Sequence, residues 1–440
     1  MLTATELYPL LAAVLQAGGL IPHATARHSV AQHLAAVVTG QNLRPSARAR
    51  ALPSVMPSPA RQRLRRGARA LDRACLAPAA LIPGLVRTVL ALVRAAGAGP
   101  APGQPWLLAL DTVRCGRWEV FTVGVVARGR VLPVGWAVLP YPWPKGQFTP
   151  TVCALAARVG ACWPPSETAV LLADRAFPSK ALFGTLRRIG WSWTVRLQGR
   201  HAVTPADGRR CQVRELLAGS PSGAWREEAV TFGGGPDAPS GTLLIGPGLR
   251  VLPVHQSGPA SLAARGRQAE RRAQHVASKH PGRSAASHDG WVVLFTTEVE
   301  WMVAERQYRA RWGIEGTYRD AQGGWDGRHG WALDQAAARL STAARVEALA
   351  GLWALGVLVQ TWLGLRVGTN AIGGRALRRW ATTPRLSVWA RGQFALGDPA
   401  LHTWVRATLT QATVILAGTP PPLIPLRPSA ALLQTRGKAA

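Results

Sequence analysis

The feature that most constrains the fold is a series of short apolar runs between residues 106 and 197. WLLALDTV (106–113), WEVFTVGVVARG (118–129) and RVLPVGWAVLP (130–140) are separated by turn-forming residues and read as a meander of three strands. A helix at about 149–160, a strand TAVLLAD (168–174), a helix at about 178–189 and a strand WSWTVRL (191–197) follow. The order is βββαβαβ. Right-handed crossovers make the strands around the helices parallel, whereas the first three pair antiparallel, so the expected core is a mixed α/β sheet.

The flanking segments have a different texture. Residues 1–95 are helical in pattern and basic, with most of the charge between Arg44 and Arg73 (SARARALP, then PARQRLRRGARALDRA), which predicts a DNA-binding region. The opening MLTATELYPLLAAVLQAGGL is apolar but carries Glu6 where a leader would carry basic residues, and it reads as a helix. AGAGPAPGQP (96–105) is a Pro/Gly linker. From 198 to 290 the chain turns polar and Gly/Pro-rich, with GGGPDAPSG and the basic stretch 265–283, and this reads as an insertion outside the main sheet. A strand WVVLFTT (291–297) and one long helix from about Val299 to Gln322 come next. Ala348–Leu365 carries no charge and is long enough to test for a membrane span. Gln360 and Thr361 interrupt it, and a buried core helix is the expectation. The expected organisation is thus 1–95 as a helical basic region, 96–105 as linker, and 106–197 with 291–366 as the α/β domain. An insertion at 198–290 and a basic region at 367–440, with a Pro-rich end at 419–428, complete it.

Charge narrows the partner. Lys and Arg total 52 against 22 Asp and Glu, a formal net charge of +30, in a chain that is 48% hydrophobic. That much core-forming content excludes a disordered basic tail, and so large a cationic excess on a foldable chain points to a polyanion, nucleic acid first. The five cysteines are scattered without zinc spacing, which predicts a reducing compartment and no zinc ribbon. His23, His28 and His33 fit no catalytic or zinc pattern. No glycine loop of the G-x4-G-K-S/T type is present, so ATP-driven chemistry is not expected.

Acidic residues are scarce, and those at strand ends stand out. Asp111 is expected to close the first strand as LALDT and Asp174 the fourth as LLADR. A carboxylate ending a buried apolar strand is costly unless it meets a cation, a metal or good donors. The third candidate is Glu315, in YRARWGIEGTYRDAQ. On a continuous helix Tyr308, Arg311, Glu315, Arg319 and Gln322 fall within one arc of roughly 80°. A face holding a hydroxyl, two guanidiniums, a carboxylate and an amide suits phosphate and metal together.

LALDT, LLADR and Tyr308-x2-Arg311-x3-Glu315 together resemble the DDE transposases of the IS4 type, whose helix signature is Y-x2-R-x3-E-x6-K. The resemblance spans about 106–325 and implies a ribonuclease H-like mixed sheet with helices on both faces and a β-rich insertion between Asp174 and Glu315. It implies Asp111, Asp174 and Glu315 as catalytic residues holding Mg2+, or Mn2+, with Tyr308, Arg311, Arg319 and Gln322 on DNA. By the same resemblance Trp291 would stack on a flipped base. The implied activity is metal-dependent cleavage at terminal inverted repeats and strand transfer into target DNA, by a homodimer in a bacterial cytoplasm, on the nucleoid rather than a membrane. The family has Lys where this chain has Gln322. A structure-specific nuclease and an inactive DNA-binding descendant are the alternative readings.

Overall fold

The computed structural model describes residues 2–52, 58–218, 226–247, 291–298, 300–322, 331–367 and 387–418. The basic stretch 265–283 and the Pro-rich segment 419–428 lie outside the described residues. The chain is mixed α/β and forms two compact units. The first comprises Met1–Ala173, Gly184–Trp191 and Gln307–Ala440, and the second Asp174–Phe183 and Ser192–Arg306.

The first unit opens with helices α1 (Ala4–Ala17), α2 (Ala24–Gly40), α3 (Pro45–Ala51), α4 (Ala60–Ala70) and α5 (Pro78–Ala95). Thr3 starts α1 with a capping box: its Oγ1 accepts the Glu6 amide at 3.3 Å, and the Glu6 carboxylate accepts the Thr3 amide at 2.9 Å. Pro78 starts α5, where its missing N–H costs no hydrogen bond. Segment 96–105 does separate helical from β texture, yet both sides belong to the same unit. The apolar face of α5 (Leu81, Ile82, Leu85, Val86, Val89) is fully buried, and α5 packs on strand and helix elements that lie beyond the linker.

Strands β1 (Trp106–Cys115), β2 (Trp118–Ala127) and β3 (Arg130–Pro140) form the expected meander. Its hairpins turn on two-residue loops. Gly116 has φ +65°, and Arg128 and Gly129 have φ +46° and +77°, the last two matching the type I′ geometry that right-twisted strands favour. After α6 (Phe148–Gly160) comes β4 (Ala169–Ala173), which pairs parallel with β1 from Trp106↔Ala169 to Leu110↔Ala173. The strand order within this unit is β3-β2-β1-β4. Adjacent residues of β3 assign its two faces: Gly135 turns to Leu155 and Val159 of α6, whereas the Trp136 indole donates to the Glu347 carbonyl at 2.8 Å.

The second unit takes in the start of α7 (Lys180–Arg188) and strands β5 (Ser192–Arg196), β6 (Ala202–Pro205) and β7 (Cys211–Gln212). Helix α8 (Val213–Ala218) and strands β8 (Arg226–Phe232), β9 (Ser240–Pro247) and β10 (Trp291–Thr296) complete it. Its strands pair antiparallel in the order β5-β10-β9-β8-β6-β7. The insertion expected at 198–290 is β-rich as the resemblance implied, but its strands join β5 and β10 in one sheet and do not stand outside it. β9 pairs with β10 along six residues, because REEAVTF and SGTLLIGP are regular strands despite the Gly/Pro-rich loop between them. Phe183, Trp193, Phe232 and Phe295 form the aromatic core, with neighbouring ring centroids 5.0–6.0 Å apart.

The remaining helices are α9 (Trp301–Ala310), α10 (Gly313–Gln322), α11 (Leu333–Ala338), α12 (Ala343–Arg366), α13 (Val388–Gly397) and α14 (His402–Leu416). Among the described residues α5 and α12 are long and apolar enough to cross a membrane. Residues 348–364 of α12 are all buried, packed by β3, α5, α2 and α13. The α12–α13 approach needs two glycines: a Cβ on Gly392 would lie 2.0 Å from the Gln360 carbonyl, and one on Gly364 1.7 Å from the Val388 carbonyl.

Candidate active site

Asp111 does not end β1, as the sequence suggested. The hairpin to β2 carries β1 on to Cys115, and Asp111 is registered against Thr122. It is, however, the first residue of β1 beyond the stretch paired with β4, so its backbone lies where the sheet's parallel pairing stops. Pairing Asp111↔Thr122↔Trp136 puts it on the α12 side of the sheet. Asp174 follows β4 directly in the chain and belongs to the second unit.

The long helix expected from Val299 to Gln322 is two helices. Residues Arg311 and Trp312 form a tight turn between α9 and α10, with three-residue backbone bonds Arg311 N to Tyr308 O (3.1 Å), Trp312 N to Arg309 O (3.2 Å) and Ile314 N to Arg311 O (2.9 Å). Gly313, a weak helix former, lies at the break, and a Cβ there would meet the backbone of Gly129 and Arg130 at 3.3 Å. The single-arc arrangement of Tyr308, Arg311, Glu315, Arg319 and Gln322 is corrected accordingly. Tyr308 and Arg311 are buried, Glu315 is part-exposed, and Arg319 is exposed. Gln322 Nε2 donates to the Arg114 carbonyl at 3.2 Å, at the end of β1.

The break aims Arg311 at two carboxylates. Its Nη1 donates to Asp111 Oδ2 at 2.9 Å and its Nη2 to Glu315 Oε1 at 3.0 Å. The guanidinium side chain is 4% exposed, against 20% for Asp111 and 39% for Glu315. Buried charge is tolerated when it is paired and hydrogen-bonded, and the planar fork of Arg can serve both acids at once. The Tyr308 and Trp312 rings lie 5.5 and 5.8 Å from the guanidinium, and Trp312 is 41% exposed.

A second set of contacts holds these acids in place and was not foreseen from sequence. The Tyr318 hydroxyl donates to the Asp111 carbonyl at 2.9 Å, and its ring stacks on Trp353. Burial, reinforced by the Asp111 charge, pushes the Tyr318 phenol well above its ordinary range. Thr317 Oγ1 accepts the Val131 amide at 3.0 Å, which ties α10 to the start of β3. Arg130 pairs with Asp320 at 2.8 Å, although burial outweighs that partner and raises the Asp320 carboxyl. Their signal in the sequence was only that Thr317 falls on the side of α10 away from Arg319 and that Tyr318 flanks Glu315 on the side opposite Arg319.

Two carboxylates that converge on one cation are a donor set suited to a hard divalent ion. The structure thus brings together Asp111, Arg311 and Glu315, with Tyr308 alongside, in the first unit. Trp291 opens β10 in the second, opposite Pro247.

The basic run also takes a definite form. Arg61, Arg65, Arg66 and Arg69 are exposed along α4, whose Gly67 and Ala70 face inward. Arg63 is part-buried, and its Nε donates to the Ala49 carbonyl at 2.9 Å. No acidic residue occurs between Glu6 and Asp72. No protein-family model matches this chain, and no curated protein matches it.

Proposed function

We propose that the protein is a DDE transposase with a ribonuclease H-like catalytic core, acting on the terminal inverted repeats of its own element. The observation that carries the reading is the Arg311 bridge. LALDT and the Tyr308-x2-Arg311-x3-Glu315 motif, 200 positions apart, meet through the 2.9 Å bond from Arg311 to Asp111, while the same guanidinium holds Glu315 of its own motif at 3.0 Å. Asp111 and Glu315 would hold Mg2+ or Mn2+, and Asp174 is retained as the third carboxylate on its LLADR context. A bound divalent ion would activate the attacking water or 3′-hydroxyl and stabilise the leaving oxygen.

The chain's own groups supply the rest. Tyr318 and Thr317 fix the backbone and helix that carry the two acids. Arg311 offers a guanidinium to a phosphate next to the scissile bond. The exposed arginines of α4 offer sequence-independent contacts to duplex phosphates and would hold the DNA on which cleavage and joining act.

The test is a nicking and strand-transfer assay on labelled duplexes carrying the ends that flank the gene. Asp111→Asn, Asp174→Asn and Glu315→Gln should each lose cleavage and joining while retaining duplex binding. Cleavage without joining of pre-cut ends would favour a nuclease instead. Full activity in all three variants would refute the assignment.

A further inference from the structure

We infer that Arg311 is the resident counter-ion of the Asp111–Glu315 pair and that a divalent metal reaches these acids only when a phosphate takes the guanidinium away. This deepens the proposed function and rests on it.

The charge balance leads there. Asp111 and Glu315 carry two negative charges, and both are already bonded to Arg311, at 2.9 and 3.0 Å, through the oxygens Oδ2 and Oε1. With the guanidinium in place the three groups sum to one negative charge. A dication entering beside it would meet a cation that is 4% exposed, with the Tyr308 and Trp312 rings 5.5 and 5.8 Å from it. Such a guanidinium has little water with which to screen the repulsion. If Arg311 turns to a phosphate monoanion, each cation keeps a matching anion. The acids are then matched by the metal, and the guanidinium by the phosphate.

Geometry permits that exchange. Arg311 is in the two-residue turn between α9 and α10, not inside either helix, so it can re-aim without breaking a helical ladder. Glu315 is the most exposed of the three side chains, at 39%, and gives the acids a side open to solvent. Asp111 is held by the Tyr318 hydroxyl on its carbonyl and by the Thr112 amide, which donates to Oδ1 at 2.8 Å, so it stays in place when the guanidinium leaves.

The consequence is that metal and nucleic acid bind cooperatively, each raising affinity for the other by the same factor. The experiment measures Mn2+ binding to the full-length protein by paramagnetic resonance, with and without a short synthetic DNA duplex at saturating concentration and low salt. Wild type should bind Mn2+ weakly alone, and on the order of tenfold or more tightly with duplex. Arg311→Gln should bind Mn2+ alone about tenfold more tightly than wild type and respond little to duplex. Arg311→Lys keeps a charge that can hold only one acid at a time and should fall between them. It and the wild-type comparison decide the matter if the neutral variant does not fold.

Equal Mn2+ affinity in wild type and Arg311→Gln, or a wild-type affinity indifferent to duplex, would overturn the inference. Asp111→Asn and Glu315→Gln separate this failure from a deeper one. If they abolish Mn2+ binding while Arg311→Gln matches wild type, only the counter-ion role fails. If they leave Mn2+ binding unchanged, or if no protein binds Mn2+ even with duplex, the metal site and the proposed function fail with it.

Discussion

Replacing Arg48 by Met should make the protein more stable. Arg48 is on α3, is 1% exposed, and among the described residues none of its three guanidinium nitrogens has a hydrogen-bond partner. His33, whose imidazole feels the Arg48 charge, is equally buried and offers no counter-charge. Burial pushes the Arg48 guanidinium down to about 10. At about 1.4 kcal/mol per tenfold in proton affinity, the charged form in the fold is destabilised by about 3 kcal/mol at neutral pH. Met fills similar space without the charge, so a gain of about 2–3 kcal/mol is expected, or about 4–6 °C in melting temperature. Arg48→Lys, which keeps a buried cation, should bring no such gain. The pH dependence identifies the cause. Above pH 10 the folded guanidinium loses its proton while the unfolded chain keeps its own to higher pH, so stability of the wild type rises with pH there and the difference from Arg48→Met narrows. Thermal melts from pH 7 to 11 provide the assay. A variant no more stable than wild type at pH 7, or a difference that stays constant to pH 11, would refute the reasoning.

Three other outcomes follow from the same structure. Burial, helped by Arg48, pushes His33 from 6.5 to about 3; the unfolded chain therefore binds a proton that the fold does not, and stability falls as pH drops below 6.5. At pH 5 the loss should be about 2 kcal/mol, and His33→Leu should abolish that part of the acid slope in thermal melts. Neutralising Arg65, Arg66 and Arg69 on α4 should weaken duplex binding and lower the slope of log affinity against log salt by about 2–3, whereas Arg63→Gln should act mainly on stability, as titrations at several salt concentrations can establish. Gln322→Lys keeps a donor for the Arg114 carbonyl and adds a cation; if exposed Arg319 does not already hold the phosphate expected there, cleavage rates should rise about tenfold, and an unchanged rate in both Gln322→Lys and Arg319→Ala would show that neither residue holds it.

What could be read ahead of the structure followed from local physics. The three-strand meander, β4 and the helices around it lie within one to three residues of their expected limits, because alternation and turn residues act over short spans. The two strands around GGGPDAPSG were missed since the loop's composition outweighed the modest β pattern of REEAVTF and SGTLLIGP. The break at Arg311–Trp312 had only Gly313 as a local sign. The β2–β3 turn lies close against Gly313 at that break, a contact across more than 180 positions that no local pattern reveals. Asp111 and Glu315 could be picked out because carboxylates are rare beside buried strands in this chain. Their shared guanidinium, and the support from Tyr318 and Thr317, depend on how α10 docks on the sheet, which periodicity alone does not determine.

The discontinuous make-up of the first unit bears on how the protein is synthesised. Ala173, the last residue of its sheet, precedes Gln307, where the unit resumes after Trp191, by more than a hundred positions, and Arg311 is translated 200 residues after Asp111. At about 5–20 residues per second the ribosome needs roughly 10–40 s to supply that partner. Throughout that interval the face of β1–β3 that α10 and α12 will cover, Trp136 included, has no helix to bury it. A message ending before codon 307 would yield a chain with an uncovered apolar sheet. Chains shortened in this way should therefore accumulate as aggregate or be degraded.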